Sequence, residues 1–130
     1  MIPRSWLQSP LLQPPGLQRL TALAFAGYAL LIGWLSLMPT TGTGRLWDKA
    51  VHFTIYLIFV LLGSPLCRRW SRLLLLALGV LVYSAALEIA QHFVGREMSL
   101  RDLLANGLGI ALALLILRWR WNAPRPPFLR

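Results

Sequence analysis

Four uninterrupted apolar segments occupy most of this chain and limit the folds open to it. Each holds roughly 17 to 22 residues, and at about 1.5 Å per residue such a helix crosses a hydrocarbon core about 30 Å thick. Continuous apolar runs favour helices over strands, which alternate apolar and polar residues. We therefore predict an all-α integral membrane protein with four transmembrane helices. They run from Leu20 to Met38, from after Lys49 to near Cys67, from Leu73 to about His92, and from about Leu100 to Trp119.

The regions outside these segments are rich in proline and arginine. Residues 1–19 contain four prolines and predict an irregular N-terminal arm, followed by a membrane domain over 20–121 and a basic, proline-rich tail over 122–130. No small-residue cleavage site follows the first segment, so we predict a retained helix and not a removed signal peptide. Cys67 is the only cysteine, which excludes an intramolecular disulfide.

The basic residues are distributed unequally between the two ends of the apolar segments. If the N-terminus is cytoplasmic, nine arginines share its side of the membrane and four cations lie on the other side. The positive-inside rule then predicts that both termini are cytoplasmic. We attribute the net charge of +9 to this topology, and expect the lipid bilayer and no nucleic acid as a partner.

All four acidic residues, Asp48, Glu88, Glu97 and Asp102, lie at the ends of the apolar segments that we predict to be exterior. Such groups are costly in hydrocarbon unless they are paired or functional, so their common depth predicts a polar site. Short connections make the helices neighbours, and we expect the polar faces to converge. Those faces carry Asp48, His52 and Tyr56 on the second helix, Glu88, Gln91 and His92 on the third, and Asp102, Asn106 and Gly109 on the fourth.

Structural roles compete with functional ones for these residues. Asp48 can cap the second helix, and Ser99 with Asp102 spells a capping box for the fourth. The row of small residues Ala105, Gly109 and Ala113 predicts close helix packing. Asn106 can serve as a hydrogen-bonding link between helices.

Two further features concern Glu88 and metal binding. Glu88 lies inside the third apolar segment and needs a partner such as Arg96 or His52. The pairs Asp48/His52 and Glu88/His92 have the four-residue spacing of helical metal ligands. Such pairs arise readily by chance at helix ends, so we predict neither a bound metal nor a cofactor.

The segments DKAVHFTIY and EIAQHFVGREMSLRDLLANGLG together resemble the VanZ-like membrane proteins. The family pattern is Asp-Lys-x-x-His-Phe-x-x-Tyr, then Glu-x-x-Gln, a short loop to Arg, and Asp-x-x-x-Asn-x-x-Gly. Gly95 stands where the family commonly has a proline before the arginine, and His92 lies outside the pattern. The resemblance identifies as motif positions Asp48, Lys49, His52, Tyr56, Glu88, Gln91, Arg96, Asp102, Asn106 and Gly109.

The family takes its name from a protein linked to resistance to the glycopeptide antibiotic teicoplanin. The resemblance implies a multi-pass protein of the bacterial inner membrane, and the arginine count predicts that its motif residues lie on the exterior side. Our leading hypothesis is an outward-facing pocket, formed by the motif residues other than Gly109, that binds a polar or phosphorylated cell-envelope group. Lys49 and Arg96 would hold the anion by charge-assisted hydrogen bonds, and a lipid-linked envelope intermediate would suit the location.

Two alternatives stay open. The first is an enzyme that acts on a lipid-linked intermediate, with His52 and Glu88 as general acid and base. No serine, cysteine or threonine nucleophile accompanies them in a known motif, so we favour a role without catalysis. The second is a structural or assembly subunit whose polar cluster only locks the helices together.

Overall fold

A computed structural model describes residues 14–39 and 46–122. This part of the chain contains no strand, and its helices are long and apolar enough to cross a membrane, which confirms the predicted fold class. Their bounds are α1 Pro15–Leu37, α2 Leu46–Gly63, α3 Trp70–Phe93 and α4 Leu100–Asn122, with a short 3₁₀ turn at Ser64–Leu66 after α2.

Three helix starts differ from the sequence prediction, and the smallest difference is at α3, which begins at Trp70 instead of Leu73. α1 begins at Pro15 instead of Leu20, because proline is well tolerated in the first turn of a helix. Five residues of the predicted irregular arm are therefore helical. α2 begins at Leu46, which places Asp48 and Lys49 inside its first turn. The rest of the arm, the loop 40–45 and the tail from 123 onward lie outside the described residues.

Side-chain contacts between helix ends define two ends of the bundle. Lys49 near the start of α2 contacts Asp102 near the start of α4, and Arg96 after α3 reaches Ser36 at the end of α1. We call this the polar end. At the opposite end, Trp70 at the start of α3 packs against Trp121 at the end of α4, and we call this the arginine end.

The apolar core lies between these ends and is rich in aromatic rings. Phe59 is the centre of an aromatic cluster, with ring centroids 4.8 Å from Phe25, 5.4 Å from Tyr28 and 5.9 Å from Tyr83. Outside the core, many leucines are exposed, as expected for a surface that faces lipid and not water. The buried apolar residues are Ile32, Tyr56, Phe59, Val60, Cys67, Leu73, Ala77, Val80, Ala105, Ile110, Ala113 and Leu117.

The row of small residues on α4 lets α2 approach closely. Ala105, Gly109 and Ala113 are all buried, which confirms the predicted packing face. A Cβ atom added to Gly109 would collide with the carbonyl oxygen of Phe53 and lie 3.1 Å from the Leu57 backbone nitrogen. This close approach brings the polar residues at the starts of α2 and α4 together.

Candidate functional site

An ion-pair group joins the first turns of α2 and α4. The Lys49 ammonium contacts Oδ1 of Asp102 and lies 4.0 Å from Oδ2 of Asp48. His52, one turn further along α2, places Nε2 at 3.9 Å from Oδ2 of Asp102. Four of the predicted site residues therefore converge, and the Lys49–Asp102 pair was not among the partners that the sequence suggested.

A chain of hydrogen bonds continues from His52 into the bundle. His52 Nδ1 lies 3.0 Å from Oδ1 of Asn106, and Nδ2 of Asn106 donates to the Ser84 hydroxyl at 2.7 Å. Because the amide oxygen of Asn106 can only accept, Nδ1 of His52 donates this bond, and Nε2 carries the lone pair whenever the ring has a single hydrogen. The predicted link through Asn106 is confirmed, and it joins α2, α3 and α4.

Ser84 is the residue that sequence reasoning missed. It is fully buried on α3, four residues before Glu88. That spacing was a usable signal, because residues four apart share a helix face. A lone serine inside an apolar segment drew less attention than the ionisable groups near it. Tyr56, which was predicted, is buried and lies beside Ser84.

Glu88 is buried, and its direct partner is a backbone group. Its Oε2 accepts a hydrogen bond from the Ser99 N–H at 3.2 Å, at the start of α4. Within the described residues it forms no ion pair with Arg96 or His52, so the expected partner was wrong. The carboxylate is nonetheless close enough to interact electrostatically with Asp102, His52 and Arg96.

The predicted capping box at Ser99 is built only in part. The Ser99 hydroxyl accepts from the Asp102 N–H at 3.3 Å, as an N-cap side chain should. In a complete box the carboxylate of Asp102 would bond back to the Ser99 N–H. Glu88 takes that N–H instead, which leaves the Asp102 carboxylate free to contact Lys49.

Arg96 fastens the end of α1. Its Nη1 donates to the carbonyl oxygens of Ser36 at 2.7 Å and Met38 at 3.2 Å, and Gln91 Nε2 donates to Ser36 at 3.1 Å. The last carbonyls of a helix have no partner inside the helix and carry partial negative charge. A guanidinium is therefore well matched to this position.

Gly95 gives the loop before Arg96 its shape. Its φ of +79° lies in the left-handed region, which glycine enters without a steric penalty. The N–H groups of Arg96 and Gly95 donate to the carbonyls of Gln91 and His92 at 2.9 and 3.4 Å, the bonding of a Schellman motif. The motif ends α3 and turns the chain so that Arg96 reaches α1, where relatives of this pattern commonly have a proline.

Of the two pairs with the spacing of helical metal ligands, Glu88/His92 is separated and Asp48/His52 lies beside Asp102. His92 is exposed and packs against Phe93, whereas Glu88 is buried, so these two do not share a site. Asp48, His52 and Asp102 each offer a ligand atom, and these atoms all lie within 4.8 Å of one another.

The arrangement defines an integral membrane protein whose acidic residues, with their histidine, lysine and arginine neighbours, are gathered at one end of a four-helix bundle. A family model described as VanZ/LLP1 matches residues 14–121. The chain belongs to the VanZ/LLP1 family, which confirms the resemblance seen in the motif residues. The search of curated proteins found no match, and neither did the search of solved structures.

Proposed function

We propose that the polar end binds a polar or phosphorylated head group of a cell-envelope lipid at the exterior face of the bacterial inner membrane. One observation carries the proposal: ionisable and amide groups from three helices gather at one depth of an otherwise apolar bundle. Groups of this kind are costly within a membrane and mark ligand or ion sites by default. The Lys49–Asp102 and His52–Asn106 contacts define the centre of the cluster.

Exposure of the side chains rises from the inside of this cluster to its edge. Asn106 is 1% exposed, while the side chains of Lys49 and Asp48 are 27% and 45% exposed. In the described part of the chain, every buried side-chain nitrogen or oxygen has a hydrogen-bond partner. A rigid inner layer thus supports an accessible edge, which suits recognition by a preorganised site.

Lys49 and Arg96 both have donors that can bind an anionic head group. The Lys49 ammonium has three donors, so a phosphate oxygen can join or replace its carboxylate partner. Among the described residues the bonds of Arg96 use only Nη1, which leaves Nε and Nη2 for a phosphate. Charge-assisted bonds of this type contribute about 1.5–3 kcal/mol each.

The two alternatives each have a supporting observation. An enzyme is favoured by the fixed tautomer of His52, whose Nε2 is available as a general base. Glu88 suits an acid–base role less well, because its carboxylate caps the backbone of Ser99. A purely structural cluster is favoured by Arg96, which ties α1 to the loop after α3.

A direct binding measurement separates these functions. Native mass spectrometry of the purified protein would compare a polyprenyl phosphate with the corresponding polyprenyl alcohol, which lacks the phosphate. We expect the phosphate to bind at least about tenfold more tightly, as one charge-assisted bond implies. Lys49→Gln should remove most of this preference, while Arg101→Gln, an exposed cation at the same end, should not. Equal binding of phosphate and alcohol would leave the structural role as the better explanation.

We also propose, separately, that the chain raises resistance to the glycopeptide antibiotic teicoplanin. The reason is that its family is named after a protein linked to this resistance, and the residues to test are those of the polar end. Expression of the chain in a teicoplanin-sensitive bacterium should raise the inhibitory concentration, and Lys49→Gln should abolish the increase. An unchanged inhibitory concentration would remove this extension without affecting the lipid-binding measurement.

A further inference from the structure

We propose that Asp48, His52 and Asp102 form a binding site for a divalent transition-metal ion, Zn²⁺ or Mn²⁺. The sequence predicted no metal because the pairs within single helices are weak signals. The three-residue group spans two helices, and its ligand atoms lie within 4.8 Å of one another. Asp102, the member contributed by α4, is positioned by its hydrogen bond to the Ser99 cap.

The orientation of the imidazole suits a metal ligand. Asn106, held by Ser84, accepts the hydrogen of His52 Nδ1 and so leaves the lone pair on Nε2. Metal-binding histidines usually donate their other ring N–H to an oxygen in this way, which fixes the tautomer and the ring. Nε2 faces Oδ2 of Asp102 at 3.9 Å, and two acceptors that face each other are stabilised by a cation between them.

The spacing permits an ion after small movements. With bonds of about 2.0–2.2 Å, two ligand atoms of a tetrahedral ion are roughly 3.4 Å apart, and two on opposite sides of an octahedral ion are roughly 4.2 Å apart. The Nε2–Oδ2 separation of 3.9 Å lies between these values, and the three ligand atoms, within 4.8 Å of one another, would have to approach further around a tetrahedral ion. Asp102 is buried, His52 is half-buried and the Asp48 side chain is 45% exposed, so Asp48 forms the accessible edge of the group.

Lys49 is the internal competitor for this site. Its ammonium contacts Asp102 and lies 4.0 Å from Asp48, so it neutralises the same carboxylates that an ion would use. A bound metal must displace it from Asp102. Removing the lysine charge should therefore strengthen metal binding, although it weakens binding of a phosphate. Lys49→Gln is thus expected to strengthen metal binding and to weaken phosphate binding. The metal site and the lipid function can therefore be tested separately, and either can fail without the other.

The donor set selects the kind of ion. Two carboxylates and one imidazole provide mixed oxygen and nitrogen ligands, which suit Zn²⁺ and Mn²⁺. Mg²⁺ and Ca²⁺ prefer oxygen ligands alone and should bind much more weakly. The proposal therefore includes an order of affinity, in which Zn²⁺ and Mn²⁺ bind more tightly than Mg²⁺ and Ca²⁺.

The test uses the full-length protein, purified in detergent and stripped of metal with a chelator. Zn²⁺ and Mn²⁺ affinities would be measured by competition with a chromophoric chelator. We expect one ion per chain, binding at least about tenfold weaker in Asp48→Asn and tighter in Lys49→Gln, with Mg²⁺ and Ca²⁺ far weaker. Glu97→Gln removes an exposed carboxylate at the same end and is the matched control, with unchanged affinity expected.

The contradicting results are equally defined. Equal affinities of Asp48→Asn and Glu97→Gln would show only general attraction to acidic groups and would overturn the proposal. Weaker or unchanged metal binding in Lys49→Gln would do the same. Asp48→Asn keeps the shape of a side chain that is 45% exposed, so it should fold, and thermal unfolding of the metal-free protein confirms this.

Discussion

The two ends of the bundle handle charge in opposite ways. At the polar end, Lys49 and Arg96 contact groups on other helices, an aspartate in one case and backbone carbonyls in the other. At the arginine end, Arg68, Arg69 and Arg118 are exposed. Charge at the polar end therefore holds helices together, whereas these arginines at the arginine end remain exposed.

Tryptophan completes the contrast. Trp70 and Trp121 pack edge to face with centroids 5.8 Å apart, and the Arg118 guanidinium lies 5.1 Å from the centroid of the Trp70 ring. Aromatic rings and basic residues together are typical of the cytoplasmic membrane interface. Arg118 remains exposed although it stacks on the half-buried Trp70 ring of another helix. The two ends therefore differ in the partners of their cations, which are carboxylate and carbonyl oxygens at the polar end and an aromatic ring at the arginine end.

The largest expected effect concerns the topology, because the arginine end is predicted to lie on the cytoplasmic side of the membrane. In a Cys67→Ala background, Glu97→Cys should be labelled by a membrane-impermeant reagent on intact cells. Ser71→Cys, exposed at the arginine end, should be labelled only after the membrane is permeabilised. The opposite pattern would break the comparison, because the cluster would then face the cytoplasm.

The next effect concerns the helix contact beneath the polar end. Gly109→Ala forces α2 and α4 apart at Phe53, and overpacking of this kind typically costs about 1–3 kcal/mol. Gly107→Ala is the matched control, since its added Cβ meets nothing within 4 Å and alanine favours a helix by up to about 1 kcal/mol. Thermal unfolding in detergent should therefore shift in opposite directions. Equal shifts of the unfolding temperature in the two variants would show that the close approach of α2 and α4 at Gly109 does not stabilise the bundle.

A direct comparison of the two ends follows from neutralising one arginine at each. Arg96→Gln loses charge-assisted bonds to two carbonyls of α1 and should cost about 1.5–3 kcal/mol. Arg118→Gln loses a cation–π contact at an exposed site, worth about 0.5–1 kcal/mol. Free energies of unfolding in detergent test the order. A larger loss at Arg118 would reverse our account of which charges are structural.

The smallest effect is a pH dependence at the arginine end. Burial raises the pKa of the Cys67 thiol, and the nearby Arg72 only partly opposes this. A raised pKa means less thiolate at neutral pH, so alkylation by neutral iodoacetamide should be slow at pH 7 and accelerate toward pH 10. In the purified protein, the pH at which alkylation of Cys67 reaches half its maximal rate should be measured. It should exceed the value for an exposed cysteine at position 71, made by Ser71→Cys in the Cys67→Ala background. A lower midpoint would mean that the arginines dominate.

Sequence reasoning located the helices and the depth of the polar cluster, because both follow from hydropathy and four-residue spacing. It did not identify the pairs within the cluster. Lys49 pairs with Asp102, and Glu88 with a backbone N–H of Ser99, because the rotation of each helix about its axis decides which groups touch. That rotation depends on contacts such as Gly109 against Phe53, which no local pattern encodes. The orientation and the ligand stay predictions.

The attachment of α1 has a consequence for how this chain can vary. Only Thr21 and Ile32 of α1 are buried, yet its carbonyls at Ala29, Ser36 and Met38 accept bonds from Tyr83, Gln91 and Arg96. A carbonyl is the same whichever side chain stands at its residue. The donors on α3 and the following loop are thus fixed by chemistry, while an acceptor at an exposed position such as Met38 tolerates any side chain. Substitutions at the exposed positions of α1, unlike those at Phe25 and Tyr28 in the core, can then change its lipid-facing surface without loosening the bundle.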